Sequence, residues 1–255
     1  MLKDKKIVAV IPARMGSSRF PGKPLKKILG IPMVEHVRRR VEMSKVLDEV
    51  LVATCDEEIY NTINHFNGKA IMTSNIHERA SDRVAEVATK VDADIFVLVQ
   101  GDEPMVYPEM IDLAVQPMLN DSSITCVNLA KKISTEEEWE NPNTIKVVID
   151  KFNNALYFSR QPIPTIKKFQ EHNTEIFKQV CIIPFQKDMI LKYAELDPTP
   201  LEICESVDMM RLLEHGYNVH MVKTEFDTFA VDTPSDLSRI EQLIKTDQLI
   251  KEYIK

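Results

Sequence analysis

Glycine is scarce in this chain, six in 255 residues, and neither common glycine-rich phosphate motif is present. No G-x-G-x-x-G run occurs, which removes the dinucleotide fingerprint. A Walker loop is excluded as well: five residues, not four, separate Gly16 from Gly22, and Lys23 is followed by Pro24 where Ser or Thr is required. The four cysteines, Cys55, Cys126, Cys181 and Cys204, form no C-x-x-C pair, and the six histidines show no H-E-x-x-H spacing. A zinc site is therefore not expected, and the thiols read as reduced and mostly buried. No apolar run approaches the ~18 residues of a membrane span, and the opening MLKDKK lacks the apolar segment of a signal peptide. A cytoplasmic protein is expected. Positive charge is not in excess either; a net charge of −7 argues against a general nucleic-acid binder, which gains from a basic stripe.

What is present is the composition of a globular protein, 44% apolar and 28% charged, long enough for one large domain or for a domain with a substantial excursion. Through residue 99 strands and helices alternate. Strands are expected at 7–11, 50–54, 70–73 and 95–99. Between them run helices marked by Met33, Val34, Val37 and Val41, by Ile59, Ile63 and Phe66 with Gly68 as a stop, and by Val84, Val87 and Val91. Such alternation implies a mostly parallel sheet covered by helices on both faces. After residue 120 the pattern becomes strand-rich, at 124–129, 145–149, 156–159 and 180–185. A short helix capped by Ser134 and Glu137 lies between the first two. This reads as a mixed or antiparallel excursion, approximately 121–190, and residues 161–175 as a long exposed loop. A helix over 201–215 stopped by Gly216, a strand at 219–223 and a last helix opening at Asp232, Thr233 and Pro234 complete the chain.

The stretch IPARMGSSRFPGKPL, residues 11–25, follows the first strand and places Arg14, Arg19 and Lys23 beside Gly16 and Gly22. A cationic, permissive loop after a strand suits a ligand bearing several phosphates, because backbone N–H groups approach it and the cations offset its charge. A solvated surface loop is the plain alternative. Position favours the phosphate reading, since open α/β sheets bind ligands at the carboxyl ends of their strands. Asp102, in the run after the strand at 95–99, falls at another such end. A carboxylate beside a triphosphate needs a hard cation between them, so the two features together predict Mg²⁺. Asp232 is a second candidate. Each also has an ordinary reading, Asp102 as a turn former and Asp232 as a helix cap.

Several segments together resemble the 3-deoxy-manno-octulosonate cytidylyltransferases, or CMP-Kdo synthetases: residues 11–25, VQGDEPM at 99–105, NPNTIKVV at 141–148, ALYFSR at 155–160 and VDTPSDL at 231–237. The resemblance spans roughly residues 7–245. It implies an α/β, Rossmann-like nucleotidyltransferase fold, a mostly parallel sheet with the excursion. It also implies a homodimer that uses CTP and Mg²⁺ to make a CMP-sugar for lipopolysaccharide, with pyrophosphate released. By that similarity Arg14, Ser17, Arg19 and Lys23 would hold the triphosphate, and Thr73, Ser81, Arg83 and Gln100 the nucleotide. Asp102 and Asp232 would carry the metal, with Arg14 and Lys23 acting beside them in catalysis. Arg160 would grip the carboxylate of the sugar acid, with Gln179, Glu205 and Asp208 near it. No protein nucleophile is required, so His36, His65, His77, His172, His215 and His220 read as surface or helix residues.

The chain departs from the family where Arg79, Ala80, Ser81, Asp82 and Arg83 stand for Ser-Gly-Thr-Asp-Arg, adding a cation and removing a glycine. It departs again at Gln179, Ile183 and Met209, where the family has histidine, tyrosine and glutamine. Losing hydrogen-bonding groups would penalise a polyhydroxylated acceptor. A modified relative such as an 8-amino acid is therefore a candidate beside Kdo. Transfer to another acid or a phosphonate, and a non-catalytic nucleotide sensor, are the alternatives. The excursion also reads as part of the acceptor site and as a subunit interface within a single 1–255 domain.

Overall fold

A computed structural model describes residues 5–16, 20–165 and 175–254. Ser17, Arg19, His172 and most of the 161–175 loop lie outside the described residues.

The first sheet is built on β1 (Ile7–Ala13), with β4 (Glu49–Thr54) and then β5 (Lys69–Met72) to one side, and β6 (Ile95–Val99) and then β11 (Ile182–Gln186) to the other. Pairing is parallel from β6 to β5, and β11 joins the β6 edge antiparallel. Because side chains alternate along a strand, both faces of β1 are used. Val8 and Val10 pack towards α3 (Ala80–Lys90) and α6 (Lys187–Glu195), and Ile7, Ala9 and Ile11 towards α1 (Met33–Val41), α2 (Glu57–His65) and α4 (Pro108–Asn120). Burial on both faces is why these strands read as continuous apolar runs. The chain leaves β1 for β4 on one side and reaches β6 on the other, so the switch point of the sheet lies at the carboxyl ends of β1 and β6.

A second sheet has the order β12 (His220–Thr224), β7 (Val127–Lys132), β10 (Phe177–Val180), β8 (Lys146–Ile149) and β9 (Ala155–Ser159). The expected strand at 180–185 is two strands in different sheets. The break falls at Cys181, where the chain passes from β10 in the second sheet to β11 in the first. Phe158, Val147 and Phe177 of the second sheet share a core with Val8, Phe96 and Phe185 of the first.

Other local expectations are corrected by backbone chemistry. The stop of α2 is Asn67, at φ 58, whereas Gly68 gives room to a neighbour: a Cβ there would stand 2.5 Å from Nε of Arg38, whose side chain would have to shift. The cap of α5 (Glu136–Glu140) is Thr135, whose hydroxyl accepts from Glu138 N at 3.1 Å. The expected helix over 201–215 is two helices, α7 (Pro200–Glu205) and α8 (Met209–Glu214), parted by Ser206 in the left-handed region at φ 53. The α4 helix and the α6 helix had no counterpart in the sequence reading, although Pro108 at the first turn of α4 is a legible signal. Of the cysteines only Cys126 is fully buried, Cys204 is exposed, and all four are free. His36 is a buried helix residue and His220 opens β12.

Candidate active site

A cavity of about 550 Å³ opens at the switch point. Its walls include Arg14, Gly16 and Lys23 from the segment after β1, Gln100 and Asp102 from the turn after β6, and Arg79 and Arg83 at the start of α3. The segment after β1 is held at both ends. Met15 N donates to the Asp56 carboxylate at 2.8 Å, and Gly22 N donates back to the Met15 carbonyl at 3.1 Å. Gly22 adopts φ 68, a turn that its lack of a side chain permits. The β6 turn presses against β1: a Cβ on Gly101 would stand 2.8 Å from the Pro12 carbonyl.

Lys23 is the centre of charge. Its ammonium lies 2.7 Å from Asp102 Oδ2 and 3.5 Å from Asp232 Oδ1. Asp232 reaches it because the capping role falls to Thr233, whose hydroxyl accepts from Asp236 N while Asp236 accepts from Thr233 N. The helix α9 (Pro234–Ile244) therefore starts without the Asp232 side chain. A backbone bond from Val231 N to the Asp102 carbonyl, 2.9 Å, ties the two carboxylate segments together. Among the described residues no group of three or more His, Cys, Asp or Glu side chains is arranged as a metal cage.

Not every predicted nucleotide contact lines the cavity. Thr73 is 7% exposed and Ser81 fully buried. Thr73 accepts a hydrogen bond from Arg83, which also donates to the Ser74 carbonyl at 3.1 Å, so Thr73 orients Arg83. Ser81 donates from its N–H and its hydroxyl to Asp208 Oδ2, at 3.1 and 2.9 Å. Burial pushes the Asp208 carboxyl above its usual range, against those bonds and the nearby Arg79.

Arg160 does not itself line the cavity but holds Ser206, which does: it donates to the carbonyls of Glu205 at 2.7 Å, Pro142 at 3.2 Å and Ser206 at 3.3 Å. Three of its five N–H groups are thus engaged, and two remain for a ligand. Both oxygens of Glu205 are taken, by Tyr157 at 3.2 Å, Ser159 at 2.7 Å and Arg160 N at 2.8 Å. The Gln179 amide donates to Asn128 at 2.6 Å. Ile183 and Met209 lie in the core, at 3% and 0% exposure, so the substitutions noted there are packing residues and read no substrate.

The sequence offered no reason to single out three further groups. Lys146 is fully buried, and its ammonium donates to the carbonyls of Asn141, Thr144 and Arg160 at 3.0, 2.7 and 2.5 Å. Burial lowers its pKa, as does the charge of Arg160. Burial and the adjacent Asp102 push the Glu103 carboxyl up to about 7. Burial, with the negative charges of Glu103, Asp102 and Asp208, pushes the Cys181 thiol well up, so it is protonated and no nucleophile.

The geometry agrees with what the chain resembles. The family model described as Cytidylyltransferase matches residues 8–251. A 3-deoxy-manno-octulosonate cytidylyltransferase of Geobacter metallireducens is 42% identical over 253 residues, covering 96% of this chain and 100% of its own. That of Geotalea uraniireducens is 43% identical, covering 94% and 99%. A solved structure of CMP:2-keto-3-deoxy-manno-octonic acid synthetase complexed with CTP superposes with a TM-score of 0.88 at 40% identity, over 94% of this chain and 98% of that one. The chain belongs to the cytidylyltransferase family and, within it, to the 3-deoxy-manno-octulosonate cytidylyltransferases.

Proposed function

We propose that this protein transfers CMP from CTP to a 3-deoxy-ulosonic acid, Kdo or a close relative, and releases pyrophosphate. The carrying observation is Lys23 held between Asp102 and Asp232 at the switch point, in a chain related along its whole length to enzymes named for this reaction. The acceptor hydroxyl oxygen forms a bond to the α-phosphorus, the bond from that phosphorus to the bridging oxygen breaks, and the hydroxyl proton is lost. Arg14 and Lys23 hold the triphosphate and offset the charge that moves onto pyrophosphate, so positioning and cation stabilisation do most of the catalysis. Arg160 offers its two remaining N–H groups to the carboxylate of the acid.

Asp102 and Asp232 fit a divalent ion, since both already turn an oxygen towards one compact cation. Two carboxylates completed by phosphate oxygens and water are what Mg²⁺ accepts. When bound, Mg²⁺ would supply charge stabilisation to the phosphates. The reading extends to the 121–190 segment as the acceptor side and to a homodimer, supported by Leu156, exposed on the edge strand β9, and by the exposed Phe152 just before it. Sedimentation tests the dimer, which a lone 29.3 kDa species would sink. For the activity, pyrophosphate release is measured with each of four nucleoside triphosphates against Kdo, its 8-amino relative and other ulosonic acids. Release is expected with CTP and an ulosonic acid, and release with none of the acids would favour a nucleotide sensor.

A further inference from the structure

Three residues at the start of α3 reach across to the α7 and α8 hairpin. Arg79 donates to the Ser206 hydroxyl at 2.8 Å and to the Glu202 carbonyl at 3.3 Å, and pairs with the Glu202 carboxylate at 3.4 Å. Ser81 binds Asp208, and Asp82 accepts from Arg211 at 3.0 Å. Arg211 in turn makes a bidentate pair with Glu202, two bonds of 2.7 Å. The turn at Glu205 and Ser206 is thus gripped twice: Arg79 takes its side chain from the nucleotide side, and Arg160 takes its two carbonyls from the acceptor side. Ser206 sits there at φ 53, a conformation that is unfavourable for a non-glycine residue and persists only when its surroundings hold it.

We propose that Arg79 is a positioning residue that couples the cavity to Arg160: by holding Ser206 in the left-handed turn it sets Arg160 for the acceptor, and it does so from the same helix start that carries Arg83. The inference rests on the function proposed above, in which Arg160 faces the acid.

Steady-state kinetics on Arg79→Ala read it directly. The KM for Kdo rises about tenfold while the KM for CTP changes less than twofold; Arg79→Lys recovers part of the loss. In a Ser206→Gly background, where glycine adopts the turn without help and the hydroxyl is gone, Arg79→Ala changes the Kdo KM less than threefold. Equal rises in both KM values, additive effects of the two substitutions, or no change in the Kdo KM would each overturn the proposal. Should Arg79→Ala fail to fold, Ser206→Ala carries the same test and raises the Kdo KM about threefold. Should the wild-type protein release no pyrophosphate with any acid, the function fails separately. Coupling is then read by amide hydrogen exchange over residues 202–208, where CTP slows exchange in the wild type, less in Arg79→Lys and not in Arg79→Ala; an equal response in wild type and Arg79→Ala overturns it.

Discussion

Lys23 stands where a cation is wanted before any ligand arrives. In the proposed mechanism its ammonium and an incoming Mg²⁺ seek the same oxygens of Asp102 and Asp232, so the residue proposed to serve the triphosphate also competes with the metal. Substituting Lys23→Met separates these roles. Turnover falls about 10²- to 10³-fold, the range seen when one charge-stabilising donor is removed. Mn²⁺ affinity of the nucleotide-free protein rises, read by electron paramagnetic resonance; a fall in that affinity would show that the ammonium does not occupy the metal's place. The Arg14 and Lys23 loop was legible as a candidate wall of the site because cations and glycines are local signals, and both side chains line the cavity. Lys146 was not, since nothing in Thr-Ile-Lys-Val tells a reader that the lysine is buried with all three donors ending on backbone carbonyls. Glu205 shows the limit differently: it reads as a ligand group, and both its oxygens are spent inside the protein.

Elements were legible where their period was regular. The parallel core from β1 to β6 follows from alternating apolar segments, but the passage from sheet to sheet at Cys181 interrupts no pattern, because Val180 at the end of β10 runs directly into the apolar β11 and nothing local marks which sheet each joins. The α9 and α10 (Ile250–Tyr253) segment illustrates packing that period alone does not assign. Val231, Ile240, Ile244 and Ile250 form a small core of their own with Phe20, Ile28, Met33 and Met105, apart from the two large ones. Polar bonds pin this segment to α1. The Tyr253 hydroxyl meets His36 Nδ1 at 3.0 Å and Arg40 Nε at 3.1 Å, Arg39 donates to the Tyr253 carbonyl at 2.6 Å, and Arg40 pairs with Asp247. Removing only the hydroxyl, Tyr253→Phe, leaves partners unpaired and costs about 1–3 kcal/mol. Faster hydrogen exchange confined to residues 231–254, with a higher Mg²⁺ requirement for turnover, is the expected signature. Uniform loss of protection across the first sheet would refute the independence of this unit.

Across the whole molecule the acid limb of stability carries the mark of His36. Burial lowers its pKa from 6.5 to about 4, opposed by its bond to the Ile28 carbonyl and by Glu35 and assisted by Arg40 and Arg39. The unfolded chain binds this proton below pH 6.5 and the folded one only near pH 4. The unfolded state therefore holds more protons in that window, and stability falls as the pH drops through it, by about 3 kcal/mol for this one group. Comparing the melting temperature of the wild type with that of His36→Gln at pH 7 and pH 4.5 isolates the contribution. A wild type that loses no more than the variant would remove it. At this scale the resemblance to the cytidylyltransferases was legible because motifs spread over the chain converge on one sheet end. What only the coordinates supply is the order of neighbours, with Ser206 between two arginines and Lys23 between two aspartates.

The bond from Val231 N to the Asp102 carbonyl closes a long circuit, and the consequence concerns synthesis rather than chemistry. The cation and the first carboxylate emerge early from the ribosome, while the second carboxylate follows only after α3, both sheets and the α7 and α8 hairpin have been made. Such long-range closure comes late in folding, because its entropy must be met before the contact rewards it. Without the segment that carries Asp232 the two aspartates are never joined, so the pair is completed only with the last helices.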